Sequence, residues 1–235
     1  MSIFLKMGRD WPPLEALHLT STSPDINGSA ARKTSRRDPE NSRRALIAAT
    51  LDTIAEIGIT DTTVSKIIER AELSRGMIHL HFGGKNQLLV AAAQSFGEEY
   101  FEELERGIQD AAGDPEAIIM AVIRADLGEA LMNERSTRIW HAFRGAAHAN
   151  DGIALYSSTR DKRLRDTIRS AFRDIARDYD EKDDPVLARD ATFGLIVLLE
   201  GMWVDYLSNP HAFSREAAVS IIRRFISGLF PRHFR

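Results

Sequence analysis

The chain has 235 residues, no cysteine, 43% hydrophobic and 28% charged residues and a net charge of −3. This is the make-up of an ordinary globular protein, long enough for one large or two modest domains. It excludes a disulfide framework, a thiolate metal site and a cysteine nucleophile. The charge is unevenly spread: residues 32–85 hold 10 Lys/Arg against 7 Asp/Glu, and residues 86–235 hold 19 against 24. A basic front on an acidic body is the asymmetry expected of a chain whose front alone meets phosphate. No secretion signal is expected, because Lys6, Arg9 and Asp10 interrupt the apolar start. No stretch reaches the ~20 apolar residues of a membrane helix; the nearest, residues 193–199, stops at Glu200. No membrane contact is expected, and the absence of cysteine fits a cytoplasmic location.

Residues 1–37 read as a disordered tail, since Pro12, Pro13, Pro24, Gly28 and neighbouring serines break any helical period. Its basic end (Arg32, Lys33, Arg36, Arg37) is either a solvated tail or an arm that reaches DNA. From Arg43 the pattern is helical throughout. Ala45, Leu46, Ala49, Ile54 and Ile57 form one amphipathic face, and Gly58 suits a helix C-cap. Thr62 or Thr63 can cap a short helix over residues 64–71, and Ser74 a third reaching about His81. Gly83 and Gly84 break the pattern before a long helix over residues 85–108. Further helices are predicted over residues 115–132, 136–149, 153–179, 185–207 and 214–229, with Pro115 and Pro185 in first-turn positions. The fold class is all-α, with a small helical domain expected over residues 38–88 and a larger helical domain over residues 89–235.

The informative stretch is residues 62–88, TTVSKIIERAELSRGMIHLHFGGKNQL. It reads as two short helices joined by a tight turn, a glycine break and a long helix. In the second short helix Met77 and Ile78 face the core, while Ser74, Arg75, His79 and His81 are polar. A helix held out from a small core in this way can enter a major groove and read base edges. The segment resembles the TetR-family helix-turn-helix, with Thr63, Ile67, Ala71, Ser74, Gly76, Phe82, Lys85 and Leu88 at matching spacing. It departs at Leu80 and His81, where the family more often has a His followed by an aromatic. Leu80 is expected to pack or to touch a thymine methyl.

The resemblance implies a role for each matching position. Ser65 and Lys66 would meet phosphate or a base. Ser74, Arg75, Gly76, His79 and His81 would face the groove, with Arg75 able to bond a guanine edge bidentately. Lys85, at the start of the long helix, would pair with phosphate. Phe82 would be a core plug between the domains. The implied partner is double-stranded operator DNA, bound by a homodimer whose readers sit about one DNA turn, ~34 Å, apart. The last two helices carry Phe193, Ile196, Val197, Ile221, Ile222, Phe225 and Leu229, a surplus that a four-helix interface between subunits would bury. A purely intramolecular core is the alternative.

Residues 139–156, IWHAFRGAAHANDGIALY, and 198–207, LLEGMWVDYL, are similar to islands of the ligand domain in the choline-responsive BetI branch of the family. The implied small-molecule inducer is choline or a related quaternary ammonium such as betaine aldehyde. Trp140 and Phe143 share a helical face, as do Glu200 and Trp203; with Tyr156 these are the candidate ligand residues. Aromatic faces beside a carboxylate suit a quaternary ammonium, and a carboxylate in an apolar run needs a partner. Three alternatives stay open. In the first, the aromatics are core only, with Glu200 paired to an arginine. In the second, the ligand is lipophilic and uncharged. In the third, the chain is a helical enzyme using His141, His148, Glu200 or Asp205. Against an enzyme, His141 and His148 lie two helical turns apart, and no phosphate loop or nucleophile elbow is present. Neither cofactor, metal nor catalytic residue is expected.

Overall fold

The computed structural model describes residues 38–111, 113–179 and 185–234; for residues 157–161, 178, 179 and 185 it describes the backbone alone. The expected tail, residues 1–37, lies outside the described residues. Among those described there are nine helices and no strand.

Helix α1 (Pro39–Asp61) begins ahead of the Arg43 start that periodicity implies, because Asp38 caps it by accepting from the Glu40 amide and Pro39 sits in its first turn. Gly58 breaks it at φ 79°, a left-handed value open to glycine, and one further turn follows. The Thr62 hydroxyl is therefore occupied with the Gly58 carbonyl at 2.7 Å, and Thr63 is the residue that caps α2 (Val64–Ala71). The turn after α2 passes through Glu72 at φ 52°. Helix α3 (Arg75–Phe82) ends at Gly83, φ 74°. Leu46, Ile54, Ile67, Ile78 and Leu88, each no more than 3% exposed, close the small core of these three helices on the start of α4.

Helix α4 (Lys85–Gln109) leads into the body, followed by α5 (Pro115–Asp126), α6 (Glu134–Ala147), α7 (Asp151–Tyr179), α8 (Pro185–Ser208) and α9 (Arg215–Leu229). Helix α1 packs on α6 as well as on α2 and α4, so the reader rests directly on the body. Helix α5 stops at Asp126, short of the expected Met132. The intervening backbone turns at Gly128, where a Cβ would come within 2.9 Å of the Arg124 carbonyl. Arg215 of α9 locks this turn, donating to the Leu127 and Met132 carbonyls at 2.9 and 2.8 Å.

By length and composition, Val186–Ser208 is apolar enough to cross a membrane, which corrects the sequence reading that no stretch comes near this. In the fold that helix packs on α6, α7 and α9. Its inner stripe is Ala188, Ala191, Leu195, Leu199 and Trp203, all at most 3% exposed. Phe225 of α9 nests over Gly194, where a Cβ would stand 2.4 Å from the ring. Phe172 of α7, fully buried, stacks on Phe230 at 5.5 Å and meets Phe234 edge-on. Phe172→Ala is expected to destabilise the protein by about 3–5 kcal/mol, through the lost ring and the cavity left behind. A denaturant melt that moves by less than 1 kcal/mol (a rough noise limit for such a comparison) would place this stack outside the stabilising core.

Candidate DNA-binding face and ligand chamber

The start of α2 and the outer side of α3 form one surface. Ser65, Lys66, Ser74, Arg75, Gly76 and His79 are exposed, and His81 and Lys85 are half-buried. The Arg75 guanidinium reaches back to the Ser65 hydroxyl at 3.5 Å, bringing the two helices' polar groups together. Lys66 donates to the Asp61 carbonyl at 3.2 Å. Lys85 occupies the first turn of α4, where free amide N–H groups also favour an anion. A Cβ at Gly76 would meet only the Ser74 hydroxyl, at 3.9 Å, so packing does not demand glycine there. Its bareness instead lets another molecule approach the start of α3 closely.

Three features of this surface were not legible in the sequence. Leu80 does not pack: it is 74% exposed, the most exposed of the large apolar side chains described. Phe82 packs against the core without being enclosed in it: it is half-buried, with the Arg43 guanidinium 5.3 Å from its ring centre. The Nε2 atom of His81 is buried without a hydrogen-bond partner among the described residues.

In the body, Trp140 and Phe143 of α6 and Trp203 of α8 are at most 4% exposed, and the two tryptophan rings meet edge-on at 6.5 Å. Phe96 of α4 adds a ring 6.4 Å from Phe143. Glu200 is not the buried carboxylate that its apolar run implied. Its side chain is 31% exposed and faces Arg144 at 3.7 Å, and Arg144 in turn lies 5.1 Å over Trp140. The buried carboxylate is Asp126, 1% exposed at the end of α5. It accepts from the Tyr100 hydroxyl at 2.5 Å and from Trp203 Nε1 at 2.9 Å. The signal for it was present: Ile119, Val122, Ile123 and Asp126 follow the spacing of one inward face.

A cleft of about 280 Å³ opens beside this group, lined by Phe96, Glu99, Tyr100, Leu131, Arg135 and Trp203 among others. Arg135 also pairs with Asp52 of α1 at 2.8 Å, so one wall of the cleft is tied to the reader. Tyr156 is half-buried on α7; burial first, then the Glu98 carboxylate, raises its phenol above the ordinary tyrosine value. Among the described residues no group of three His, Asp or Glu could hold a metal ion.

A three-helix reader with an exposed polar recognition helix, seated on a helical body that encloses aromatic rings and a carboxylate, defines a one-component transcriptional regulator. The comparisons agree. The model of bacterial regulatory proteins of the tetR family matches residues 46–92, and that of the BetI-type transcriptional repressor C-terminal domain matches residues 115–231. The HTH-type transcriptional regulator BetI of Stenotrophomonas maltophilia is 31% identical over 162 residues, 69% of this chain and 79% of its own. A transcriptional regulator from Pseudomonas aeruginosa PAO1 superimposes with a TM-score of 0.76 at 27% identity, covering 86% of this chain and 98% of that one. One from Saccharomonospora viridis, solved in complex with choline, gives 0.67 at 18% identity, covering 80% and 96%.

The chain belongs to the TetR family of transcriptional repressors, with a C-terminal domain of the BetI type. It is a DNA-binding regulator, not an enzyme, and regulators of this family bind operator DNA and small-molecule ligands.

The Tyr156 environment can be read directly. The difference between tyrosinate absorbance titrations of wild type and Tyr156→Phe is expected to have its midpoint above the ordinary value of ~10. Glu98→Gln should lower that midpoint without restoring it fully, since burial is the larger cause. The associated stability is complete below the unfolded value and is lost as pH rises through the folded one. A midpoint at or below the ordinary value would contradict this placement.

Proposed function

We propose that the chain acts as a cytoplasmic homodimer. Residues 38–88 grip the operator, and residues 89–235 join the subunits and take up the ligand that releases the DNA. The observation that carries the reading is the outer face of α3, where polar side chains and Leu80 are left exposed among the described residues. Ser65, Lys66 and Lys85 address phosphates. Ser74, Arg75, Gly76, His79 and His81 face the groove, with Arg75 on a guanine edge and Leu80 on a thymine methyl.

A second copy covers the outer stripe of α8 and α9. Phe193, Val197 and Val204 share one side of α8 and are 51–61% exposed; Ile221 of α9 is 43% exposed. Ile222 is fully buried in the chain's own core and Phe225 is half-buried against it, so neither is assigned to the proposed dimer face. The ligand is choline or a related quaternary ammonium such as betaine aldehyde. Its candidate contacts are Trp140, Phe143, Trp203, Tyr156 and Glu200; of these, Trp203 lines the cleft described above. Support comes from the buried aromatic cluster and from the choline complex of the Saccharomonospora viridis regulator, which shares the fold. Ligand favours a spacing of the two readers that no longer matches the operator, and the Arg135–Asp52 pair carries that preference to α1.

In mobility-shift titrations, Arg75→Ala should weaken operator binding by about 1–3 kcal/mol and relax preference at one base pair. Lys85→Ala should weaken all DNA alike and reduce the salt slope by about one. Wild-type behaviour from both variants would mean that the reader has been wrongly placed. Phe193→Glu, on the exposed stripe, should yield monomers by light scattering at micromolar concentration. A wild type that is already monomeric there would remove the dimer.

A further inference from the structure

Helix α4 starts without a side-chain cap. Gly84 precedes it and has no side chain to accept from the first-turn amides. Yet this turn has a task in the reading given above, which is to present Lys85 and the amides beside it to a DNA phosphate. A fraying turn would have to be ordered afresh at each encounter with DNA, at a cost in affinity.

What holds the turn comes from the body. Asn150 immediately precedes α7, and its Oδ1 accepts from the Ile153 amide at 3.2 Å, the bond of a helix cap. Its Nδ2 is directed the other way, donating at 2.6 Å to Oδ1 of Asn86, the residue after Lys85. One half-buried side chain thus caps α7 and grips the second residue of α4. The two helices also come close at this place. A Cβ on Gly152 would stand 2.6 Å from one Val90 methyl and 3.4 Å from the other. A β-branched side chain in a helix has little freedom to turn aside.

We propose that Asn150 is a positioning residue for DNA binding: through Asn86 it holds the uncapped first turn of α4, so that Lys85 and the turn's amides meet phosphate already in place. The assignment rests on the reading of Lys85 as a phosphate contact. It makes the body a contributor to DNA affinity even with no ligand bound, through a hydrogen bond that itself touches no DNA.

The test is a double-mutant cycle on the full chain. It is read by fluorescence anisotropy with a labelled duplex of arbitrary sequence at low salt, since a phosphate contact is indifferent to sequence. Asn86→Ala removes the acceptor. Asn150→Ser removes the donor and keeps a hydroxyl able to cap α7. Each should weaken binding roughly three- to fivefold, the worth of one ordinary hydrogen bond, and the double variant should lose no more than either alone. The Leu88 amide makes α4's first internal bond, to the Gly84 carbonyl at 3.2 Å. Its hydrogen exchange should quicken in all three variants, while the amide of buried Leu51 in α1 keeps its wild-type rate. Losses that add, wild-type or tighter binding by Asn150→Ser, or unchanged Leu88 exchange would overturn the proposal. An effect confined to Asn86→Ala also overturns it, because Asn86 then meets the DNA itself. If Lys85→Ala binds this duplex like wild type, the phosphate contact is wrong and the proposal falls with it. If Lys85→Ala weakens binding and the asparagine variants do not, the contact stands and the positioning role of Asn150 is refuted.

Discussion

One carboxylate holds three helices of the body together. Asp126, on α5, accepts from α4 through Tyr100 and from α8 through Trp203. A group this deeply buried is costly unless its lone pairs are satisfied, so the two donors are fixed as firmly as the acid. The consequence reaches beyond the body because of α4. Tyr100 lies fifteen residues along the helix from Lys85, roughly 22 Å at the α-helical rise, and Lys85 stands at the reader. A continuous helix therefore runs from the buried acid to the basic first turn beside α3. A second connection runs through Arg135 and Asp52, across the packing of α1 on α6. Two packed connections thus join the surroundings of Asp126 and the cleft to the reader, one along α4 and one through the Arg135–Asp52 pair.

Most of the fold could be read from local chemistry. Thr63 at the cap of α2, Gly83 after α3 and Pro115 behind Asp114 act within a turn of themselves, so the sequence shows them plainly. The misplaced end of α5 has a different origin. Residues 127–132 carry no strong breaker except Gly128, and what holds their carbonyls is Arg215, far along the chain. Glu72 likewise adopts a left-handed backbone that its residue type does not announce; the turn between two packed helices imposes it.

The aromatic cluster of the candidate site was legible in outline, and the burial of its carboxylates was not. Helix α8 is apolar nearly all round, so periodicity could not tell its inner stripe, Leu195–Leu199–Trp203, from its outer one, Phe193–Val197–Val204. Glu200 looked buried because its neighbours in sequence are apolar, yet it falls between the stripes and reaches Arg144. Asp126 falls inside the helix expected over residues 115–132 and was not singled out, although it lies seven residues after the fully buried Ile119. On the reader, the apolar Leu80 was expected to find either protein or DNA; the fold leaves it uncovered on α3. In each case the residue type was visible and its surroundings, assembled from distant segments, were not.

Gly194 shows how little it would take to rewire such a regulator. Phe225 rests so closely on it that a single added methyl group would have to displace the end of the ring from the α8–α9 contact. Those two helices carry the outer apolar stripe through which, in the proposed dimer, a second copy would be held, and the separation of the two DNA readers would depend on how the copies meet. A glycine-to-alanine change remote from the DNA-reading face would then act on which spacing of half-sites the protein fits.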